Sequence, residues 1–487
     1  MKTMAWGCAW VLALAAAGCG ETKCKMDTEC PLPQICIDGR CVERATDGTV
    51  DVAWDGDPPD GLDVPVEGPD GDAGDVEPDG TGPCTPAFAE QRRTIFGGLS
   101  VSTGDVGDPD FPVLLTLSND QVWIMGRIWS SPSATDTPKL TYVTVNPHNA
   151  LPGGSWYHPL GSVTLDALHP TVPLGDPTSD PSVAMATVFP DVHGIASNQM
   201  LYMILGAPPT AGTPTGFTGT GPYSSDPAAA SAGTSFLAAW RQGNSTDSNS
   251  YINFGIVDAA GTVTGSGTAA GDSSENLDEP ALAFNGTGYG FAYFVHAGAG
   301  ADRTEFVELD AAGAPVPGSN QSWTVESDNT VVGRPVIEWN GSRYALLWEE
   351  SAGTGASHLN LSFVEAGGAS TTDMTLEDSL SPAVGTVTNE QRGMMNVVWT
   401  GERYGVLWVH SDITAGRVRV WFFELDADGA ITDGPHILNL DSTQTQNPTI
   451  TWIETPAMRY YVFGWNEFSS SSGVHVLYTY TYGCDII

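Results

Sequence analysis

Basic side chains are scarce in this sequence. Its 487 residues contain 18 Lys and Arg against 58 Asp and Glu, which gives a formal net charge of −40. Lys139 is the only lysine in residues 84–487. A chain this acidic is repelled by phosphate backbones and anionic surfaces, so we expect no nucleic-acid partner.

Motifs of the common enzyme classes are missing as well. The sequence has no G-x-S-x-G nucleophile elbow, no H-E-x-x-H zinc motif, no P-loop and no G-x-G-x-x-G following a strand. No Ser/His/Asp constellation can be assembled from spacing alone. We therefore predict no catalytic residue, and the sequence favours a non-enzymatic role without deciding the question.

Long apolar runs are confined to the N-terminus, where residues 1–18 predict a lipoprotein signal peptide. Lys2 precedes an apolar run over 5–17 that is too short for a permanent membrane anchor. The run ends in Ala-Ala-Gly-Cys19, which resembles a bacterial lipobox. That resemblance implies lipidation of Cys19 and attachment to a membrane. Ordinary signal cleavage near Ala17 is the alternative.

Cysteine is rare outside a short cluster in residues 19–45. After Cys19, this segment contains Cys24, Cys30, Cys36 and Cys41. In an exported chain, closely spaced cysteines predict two disulfides that staple a segment too small for its own core, with three possible pairings. Zinc is the alternative, although the spacing lacks the paired C-x-x-C of structural zinc sites.

Residues 46–83 contain no Lys or Arg and consist largely of Asp, Gly and Pro. A segment with so few apolar residues cannot bury a core, so we predict a disordered and extended linker. We predict no cofactor. Weak calcium binding stays open at three places with paired carboxylates: Asp55/Asp57, Asp70/Asp72 and Asp426/Asp428.

One stretch recurs through the rest of the chain: a Gly, an aromatic residue three positions later, and Trp or Tyr four positions after that. Within the copy at 341–348, Tyr344 and Trp348 alternate with Ala345 and Leu347, which predicts a strand buried on both faces. The aromatic residues lie about 55 residues apart, in the range of propeller blades. The copies span 233–240, 286–293, 341–348 and 401–408, with a drifted copy at 461–465.

Two further elements keep the same period. An acidic residue, Ala and then Gly at the fourth position predict a hairpin turn, and a run that starts with Pro predicts another strand. Together they predict an all-β fold for residues 84–487, a β-propeller of about seven four-stranded blades. Six or eight blades, or a linear solenoid, are alternatives. The turns start at Asp258, Asp310, Glu365 and Asp426, and the runs start at Pro280, Pro335 and Pro448. Two earlier units with a less regular sequence start near Phe111 and Pro181.

The two ends of this domain are predicted to meet. The last unit lacks an outer strand, and residues 87–100, ahead of the first complete unit, could supply it. Cys84 and Cys484 then stand at opposite ends of the domain with no other intrachain partner, which predicts a disulfide that locks a ring. A linear solenoid would keep these ends apart.

The whole layout resembles surface lipoproteins of Gram-negative deltaproteobacteria, especially myxobacterial ones. The resemblance rests on the lipobox, the cysteine cluster, the acidic linker and N-G-x-x-Y repeats such as 285–289 and 340–344; Thr400 replaces the Asn in the next copy. It implies a propeller attached to the outer membrane through its N-terminal lipid, facing the cell surface or the periplasm. Gly20 after the lipobox cysteine fits that destination.

If the strands alternate in direction, the segments after the second aromatic residue of each repeat emerge at one end. These segments differ while the strands repeat, and variable loops on a rigid scaffold are where binding usually occurs. We interpret them as loops that form a ligand face. Its residues are Arg241, His296, Glu349, Glu350, His410, Asn466 and Glu467.

We therefore expect a monomeric binding or scaffolding module for an envelope protein or a glycan. A polysaccharide hydrolase or lyase that uses carboxylates such as Glu349, Glu350 and Glu467 is the first alternative. A passive structural envelope protein is the second.

Overall fold

The protein's structure is a computed structural model, and its described part is built from β-strands and turns. It divides into two compact units, Met1–Glu77 and Pro78–Ile487. None of the described segments forms a helix that could span a bilayer. The described residues are 34–37, 40–43, 86–88, 93–97, 109–117, 121–128, 139–148, 170–174, 184–191, 199–206, 212–217, 224–243, 250–271, 275–296, 301–325, 329–352, 357–376, 394–412, 417–439, 445–469 and 474–485.

The first unit contains one described hairpin, formed by β1 (Gln34–Ile37) and β2 (Arg40–Glu43). Cys36 and Cys41 lie directly opposite each other in it. The predicted signal peptide, Cys19, Cys24, Cys30 and the linker at 46–83 lie outside the described residues. The two predicted disulfides of this segment stay predictions.

In the second unit the strands form successive antiparallel meanders, numbered here as sheets 1 to 7. Two short strands, β3 (Ala87–Phe88) and β4 (Arg93–Gly97), precede sheet 1 in the chain. Sheet 1 comprises β5 (Pro109–Leu117), β6 (Gln121–Ile128) and β7 (Lys139–Val145). Sheet 2 comprises β8 (Thr171–Pro173), β9 (Met185–Asp191), β10 (Gln199–Leu205) and β11 (Thr215–Gly216).

The next two sheets are joined by one parallel bridge, between Ser250 and Asn276. Sheet 3 comprises β12 (Ser224–Ser231), β13 (Ser235–Gly243), β14 (Ser250–Asp258) and β15 (Val263–Ala270). Sheet 4 comprises β16 (Asn276–Phe284), β17 (Gly288–His296), β18 (Arg303–Asp310) and β19 (Gln321–Thr324).

The last three sheets complete the series as three further antiparallel meanders. Sheet 5 comprises β20 (Asn329–Trp339), β21 (Arg343–Ala352), β22 (Ser357–Glu365) and β23 (Ser370–Thr375). Sheet 6 comprises β24 (Met394–Trp399), β25 (Tyr404–Asp412), β26 (Arg417–Leu425) and β27 (Ile431–Ile437). Sheet 7 comprises β28 (Thr445–Thr455), β29 (Met458–Ser469) and β30 (Val474–Asp485).

The predicted turns are confirmed, and their side chains explain the repeat. Asn340 Oδ1 accepts hydrogen bonds from the backbone N–H groups of Ser342 and Arg343, both at 2.9 Å. Thr400 can take the place of the Asn, since its hydroxyl oxygen accepts the equivalent hydrogen bond from Arg403 N–H at 3.0 Å. Gly341 has φ +96°, a conformation that a side chain disfavours. Each turn thus specifies a hairpin from local chemistry.

The acidic turns work in the same way. Asp426 Oδ1 accepts hydrogen bonds from the N–H groups of Asp428 and Ala430, both at 2.9 Å. Gly429 follows with φ +88°. The Asp428 carboxylate lies 2.7 Å from Arg343 Nη2 in sheet 5. These two acids therefore have structural partners, and we assign no calcium to this turn.

The sheets pack face to face, as the alternation of large residues predicts. Tyr344 and Trp348 pack against sheet 4, in a core that includes Phe306. Ala345 and Leu347 pack against sheet 6. Similar clusters lie between sheets 1 and 2, 2 and 3, 3 and 4, and 6 and 7, so each sheet between them is buried on both faces.

The packing series returns to its start. Ile124 and Val143 of sheet 1 share a core cluster with Val462 and Leu477 of sheet 7. The first strands of the sheets, β5, β8, β12, β16, β20, β24 and β28, contact one another in the same cyclic order. Apart from the Ser250–Asn276 bridge, the described residues show no strand pairing between sheets 1 to 7. Antiparallel meanders that pack radially around a shared centre form a β-propeller.

The predicted outer strand of the last sheet is also confirmed. β30 pairs antiparallel with β3, where Ala87 lies opposite Gly483, and with β4, where Gly97 lies opposite Val476. Cys84 lies outside the described residues, so its bond to Cys484 stays a prediction.

Candidate carboxylate and arginine site

The residues predicted to form loops at the ligand face are strand residues in the structure. β21 continues to Ala352, β25 to Asp412 and β29 to Ser469. The loop interpretation of Glu349, Glu350, His410, Asn466 and Glu467 was therefore wrong, as it was for Arg241 in β13 and His296 in β17. Strands extend beyond the repeated aromatic residue because the following polar side chains find partners inside the sheets.

Two of the predicted acids are buried: Glu349 lies between sheets 5 and 6, and Glu350 contacts side chains of its own sheet. Glu349 is fully buried, and its Oε2 accepts a hydrogen bond from Trp408 Nε1 at 3.0 Å. Glu350 Oε1 accepts bonds from Trp348 Nε1 and Asn360 Nδ2, both at 3.0 Å. Each carboxylate thus satisfies a buried indole N–H.

The remaining predicted residues of sheets 6 and 7 are buried too. His410 Nδ1 lies 3.7 Å from Glu349 Oε1, and its ring packs against Trp408. Glu467 Oε1 accepts a hydrogen bond from Trp465 Nε1 at 2.8 Å, and Asn466 is fully buried beside it. These five residues thus have buried surroundings inside sheets 5 to 7, and their role in a ligand face stays a prediction.

Arg241 and His296 lie where the first strands of sheets 3 and 4 begin, at the same end of the sheets as Glu349, Glu350, Asn466 and Glu467 in sheets 5 and 7. Asn276, at the start of β16, lies opposite His296, at the end of β17. Ser225, near the start of β12, lies opposite Arg241 in β13. The two residues therefore stand at the same end of sheets 3 and 4, and they border a group of charged side chains on the first strands.

Irregularities in the first strands place those charged side chains. The pairing register shifts between Ser225 and Ala228 in β12, and between Asp278 and Ala281 in β16. Similar shifts occur in β5, β20 and β28. A bulge adds a residue to one strand and redirects its side chain. The residues directly before proline in these bulges are Phe111, Asp226, Glu279, Arg334 and Asn447.

Three of these residues adopt a left-handed backbone conformation. Asp226, Glu279 and Asn447 have φ of +51°, +47° and +54°, and each precedes a proline. Non-glycine residues rarely adopt positive φ, and such conformations persist only where the surroundings hold them. Because this conformation recurs at one position of the repeat, the bulge is a regular feature of the first strands.

Asp226, Arg241, Asp278, Glu279 and Arg334 together form the carboxylate–arginine cluster. One oxygen from each of its three acids lies within 4.8 Å of the others. Arg334 Nε donates to Glu279 Oε2 at 2.9 Å, and its Nη1 donates to the carbonyl oxygen of Pro227 at 3.1 Å. Arg334 therefore links the first strands of sheets 3, 4 and 5.

The second arginine comes from sheet 3. Arg241 Nε lies 3.6 Å from Asp278 Oδ1, and Arg241 Nη2 donates to Asn276 Oδ1 at 3.4 Å. Ser225 Oγ donates to Asp226 Oδ2 at 2.6 Å. The Asp278 and Glu279 side chains are 22% and 26% exposed, so the cluster is half-buried and still reaches solvent.

Burial and charge crowding shift the protonation of two of the acids. Burial, then the charge of Asp226, raises the pKa of Asp278 to about 6, against a lowering by Arg241. Burial raises the pKa of Glu279 to about 8, with Arg334 opposing and the two aspartates adding to the rise. A carboxyl group with a raised pKa can donate a proton or a hydrogen bond near neutral pH.

Three carboxylate oxygens this close together could form a cation site. Oxygen ligands at this spacing suit Ca²⁺, but two guanidinium groups already contact two of the carboxylates. A cation would have to displace or face those positive charges. We therefore assign no metal to the cluster, and its mixture of donors and acceptors suits an uncharged polar ligand better.

Of the five cluster residues, sequence reasoning found only Arg241. Asp226, Asp278, Glu279 and Arg334 were missed, although the runs that start at Pro280 and Pro335 were recognised. The available signal was the charged residue before each proline. Its importance could not be read locally, because the cluster assembles from strands of three sheets.

No family model matches the chain, and no curated protein matches it. Solved structures do align with it. They include a puromycin hydrolase mutant (12% identity, 77% of this chain and 61% of that one, TM-score 0.36) and the β-propeller domain of the Trilobed protease from Pyrococcus furiosus (10%, 76% and 94%, TM-score 0.40). A Penicillium chrysogenum α-L-arabinanase complexed with arabinobiose also aligns (13%, 82% and 99%, TM-score 0.40). The chain thus spans less than two thirds of the puromycin hydrolase.

Proposed function

We propose that this protein is a binding module whose propeller takes a glycan at the carboxylate–arginine cluster. The observation that carries the proposal is the convergence of three carboxyl and two guanidinium groups, half-buried, on the first strands of sheets 3 to 5 and on the adjoining strand β13. Binding sites commonly combine a rigid scaffold with a few convergent polar groups. The bulges provide such groups on strands held by the sheet cores.

The charge balance favours a neutral ligand rich in hydroxyl groups. With Glu279 protonated, the two remaining carboxylates balance Arg241 and Arg334. Carboxylates accept hydrogen bonds from hydroxyls, and guanidinium groups donate to them. The net charge of −40 also repels anionic ligands from the molecule as a whole.

The address and the architecture belong to the same proposal. A lipid on Cys19 and the linker at 46–83 would attach the domain to the outer membrane, on its surface or its periplasmic side. We propose seven blades, because the seven packed sheets of the described residues support that number. The protein would act as a monomer, and its membrane contact would come from the lipid.

A polysaccharide hydrolase is the second candidate. The observation that favours it is a carboxyl group with a raised pKa, Glu279, whose oxygen lies within 4.8 Å of Asp226 and Asp278. Glycosidases pair a protonated acid with an ionised carboxylate, and retaining enzymes hold the two about 5–5.5 Å apart. In this candidate, Glu279 protonates the leaving oxygen.

A glycan-array screen of the full mature chain tests the proposal. We expect binding to a restricted set of neutral glycans, lost in an Asp278→Asn, Arg334→Met double variant. The matched control is Glu454→Gln, which removes an exposed charge paired with Arg459, outside the cluster. Release of reducing ends from the bound glycans would select the hydrolase.

The opposite result is equally informative. A blank array from protein with native circular dichroism would contradict the glycan proposal. An envelope protein partner, or a passive structural role, would then be the function to test.

A further inference from the structure

The carboxylate–arginine cluster contains more acids than bases. Asp226, Asp278 and Glu279 face two guanidinium groups, so full ionisation would leave one negative charge uncompensated. Arg334 contacts Glu279 at 2.9 Å, and Arg241 lies 3.6 Å from Asp278. Asp226 Oδ2 accepts a hydrogen bond from the neutral hydroxyl of Ser225, at 2.6 Å.

An uncompensated charge at this place is costly. The three carboxylate oxygens lie within 4.8 Å of one another, and the side chains are mostly withdrawn from solvent. Like charges held this close disfavour joint ionisation, and the group then binds a proton as a unit. The left-handed backbone at Asp226 and Glu279 fixes both acids on the inner strands, which limits their separation.

We propose that the cluster retains one proton at neutral pH, shared among its three carboxyl groups, so that it offers the ligand an acid O–H as well as carboxylate oxygens. This inference rests on the proposed function and adds its regulation. The O–H donates to an ether or hydroxyl oxygen of the glycan. When the proton leaves, the donor is lost, the cluster becomes negative, and ligand binding weakens.

The groups that face the shared proton come from five strands. They are Asp226 on β12, Arg241 on β13, Asp278 and Glu279 on β16, His296 on β17 and Arg334 on β20. Asp302 Oδ2 lies 3.1 Å from His296 Nδ1. The raised pKa values of Asp278 and Glu279 agree with proton retention, and Arg334, which lowers the pKa of Glu279, opposes it.

Carboxyl NMR of the full chain tests the proposal without any ligand. The sample carries ¹³C at glutamate Cδ, and a Glu279→Gln spectrum assigns the Glu279 signal. We expect that signal to titrate near pH 8. In an Asp226→Asn variant, which removes one acid and keeps the shape, its midpoint falls by about one pH unit or more because a like charge is gone.

Two outcomes would overturn the proposal. A Glu279 midpoint near the ordinary value of 4.5 means that Glu279 holds no share of a proton at neutral pH. An unchanged midpoint in Asp226→Asn means that the proton is not shared. Glu454→Gln, outside the cluster, is the control and leaves the Glu279 signal in place. A blank glycan array leaves this titration unaffected, so the failure of one proposal is distinguishable from that of the other.

Discussion

Gly405 faces the ring of Tyr461 so closely that a Cβ atom at Gly405 would lie 2.4 Å from Tyr461 Cε1. Gly290 has the same relation to Tyr344 two repeats earlier, where the added Cβ would lie 2.4 Å from Tyr344 Cε1. In both pairs the tyrosine of one sheet packs on the glycine of the preceding sheet. The glycine that follows the repeated tyrosine, at 290 and at 405, therefore leaves room for the tyrosine ring of the next sheet.

Substituting Gly405→Ala is expected to destabilise the domain. The ring of Tyr461 is buried in the core cluster between sheets 6 and 7, and overpacking costs about 1–3 kcal/mol. Urea unfolding measures the loss. The control is Gly265→Ala, because a Cβ there meets Ile256 Cδ1 at an ordinary 3.5 Å. Equal stability of the two variants would contradict the packing account.

The phenol of Tyr461 provides a second prediction. Its hydroxyl donates to Glu424 Oε1 across the boundary between sheets 7 and 6, at 2.9 Å. Tyr461→Phe leaves that buried oxygen without its donor, which costs about 1–3 kcal/mol. The Tyr404 hydroxyl has no hydrogen-bond partner of normal geometry among the described residues. Tyr404→Phe is therefore the matched control, with little expected change in melting temperature.

Glu279 makes stability depend on pH. Its folded pKa of about 8 lies above the unfolded value, 4.5, so the folded state holds the proton more tightly between these values. The free energy of unfolding therefore falls as pH rises through that window. Glu279→Gln keeps a neutral group at this position. As pH rises from 5 to 9, we therefore expect the unfolding free energy of the variant to increase relative to that of wild type by roughly 1 kcal/mol.

Urea unfolding at several pH values measures this difference. The side chain is 26% exposed, and solvent screening reduces the effect below the full shift. A parallel pH dependence in wild type and variant would show that Glu279 titrates alike in both states. Glu454→Gln, an exposed acid, is the control and is expected to follow wild type.

The predicted bond between Cys84 and Cys484 joins the two ends of the propeller. Its support is the pairing of Ala87 with Gly483, which brings the strand after Cys84 beside Cys484. The bond would close a loop of roughly 400 residues, for which stabilisation lies near the top of a range of about 0–5 kcal/mol. We expect Cys484→Ser and Cys84→Ser to lower the melting temperature equally.

Peptide mapping without reduction checks this bond directly. A cross-linked peptide containing both cysteines is expected from protein exported to an oxidising compartment. Complete alkylation of both thiols in that protein would contradict the bond. If the bond exists, the double Ser variant should melt no lower than either single variant, because each single change already breaks the same bond.

Local sequence determined the strands and the turns of this protein. Asn340, Thr400 and Asp426 make hydrogen bonds within five residues of themselves, so short windows were sufficient to predict the hairpins. The alternation of Tyr344 and Trp348 with Ala345 and Leu347 gave the two packed faces. The distant pairing of β3 and β4 with the last sheet was predictable because the repeat count left one strand missing.

Only the tertiary structure decided which polar residues meet. Glu349, Glu350 and Glu467 read as loop acids, but tryptophan N–H groups hold them inside the sheets. Asp226 and Arg334 are more than a hundred residues apart in the chain, and the bulges of three different strands bring them to one end of the propeller. A repeat specifies its own hydrogen bonds locally, whereas a site at the centre depends on how all the repeats pack.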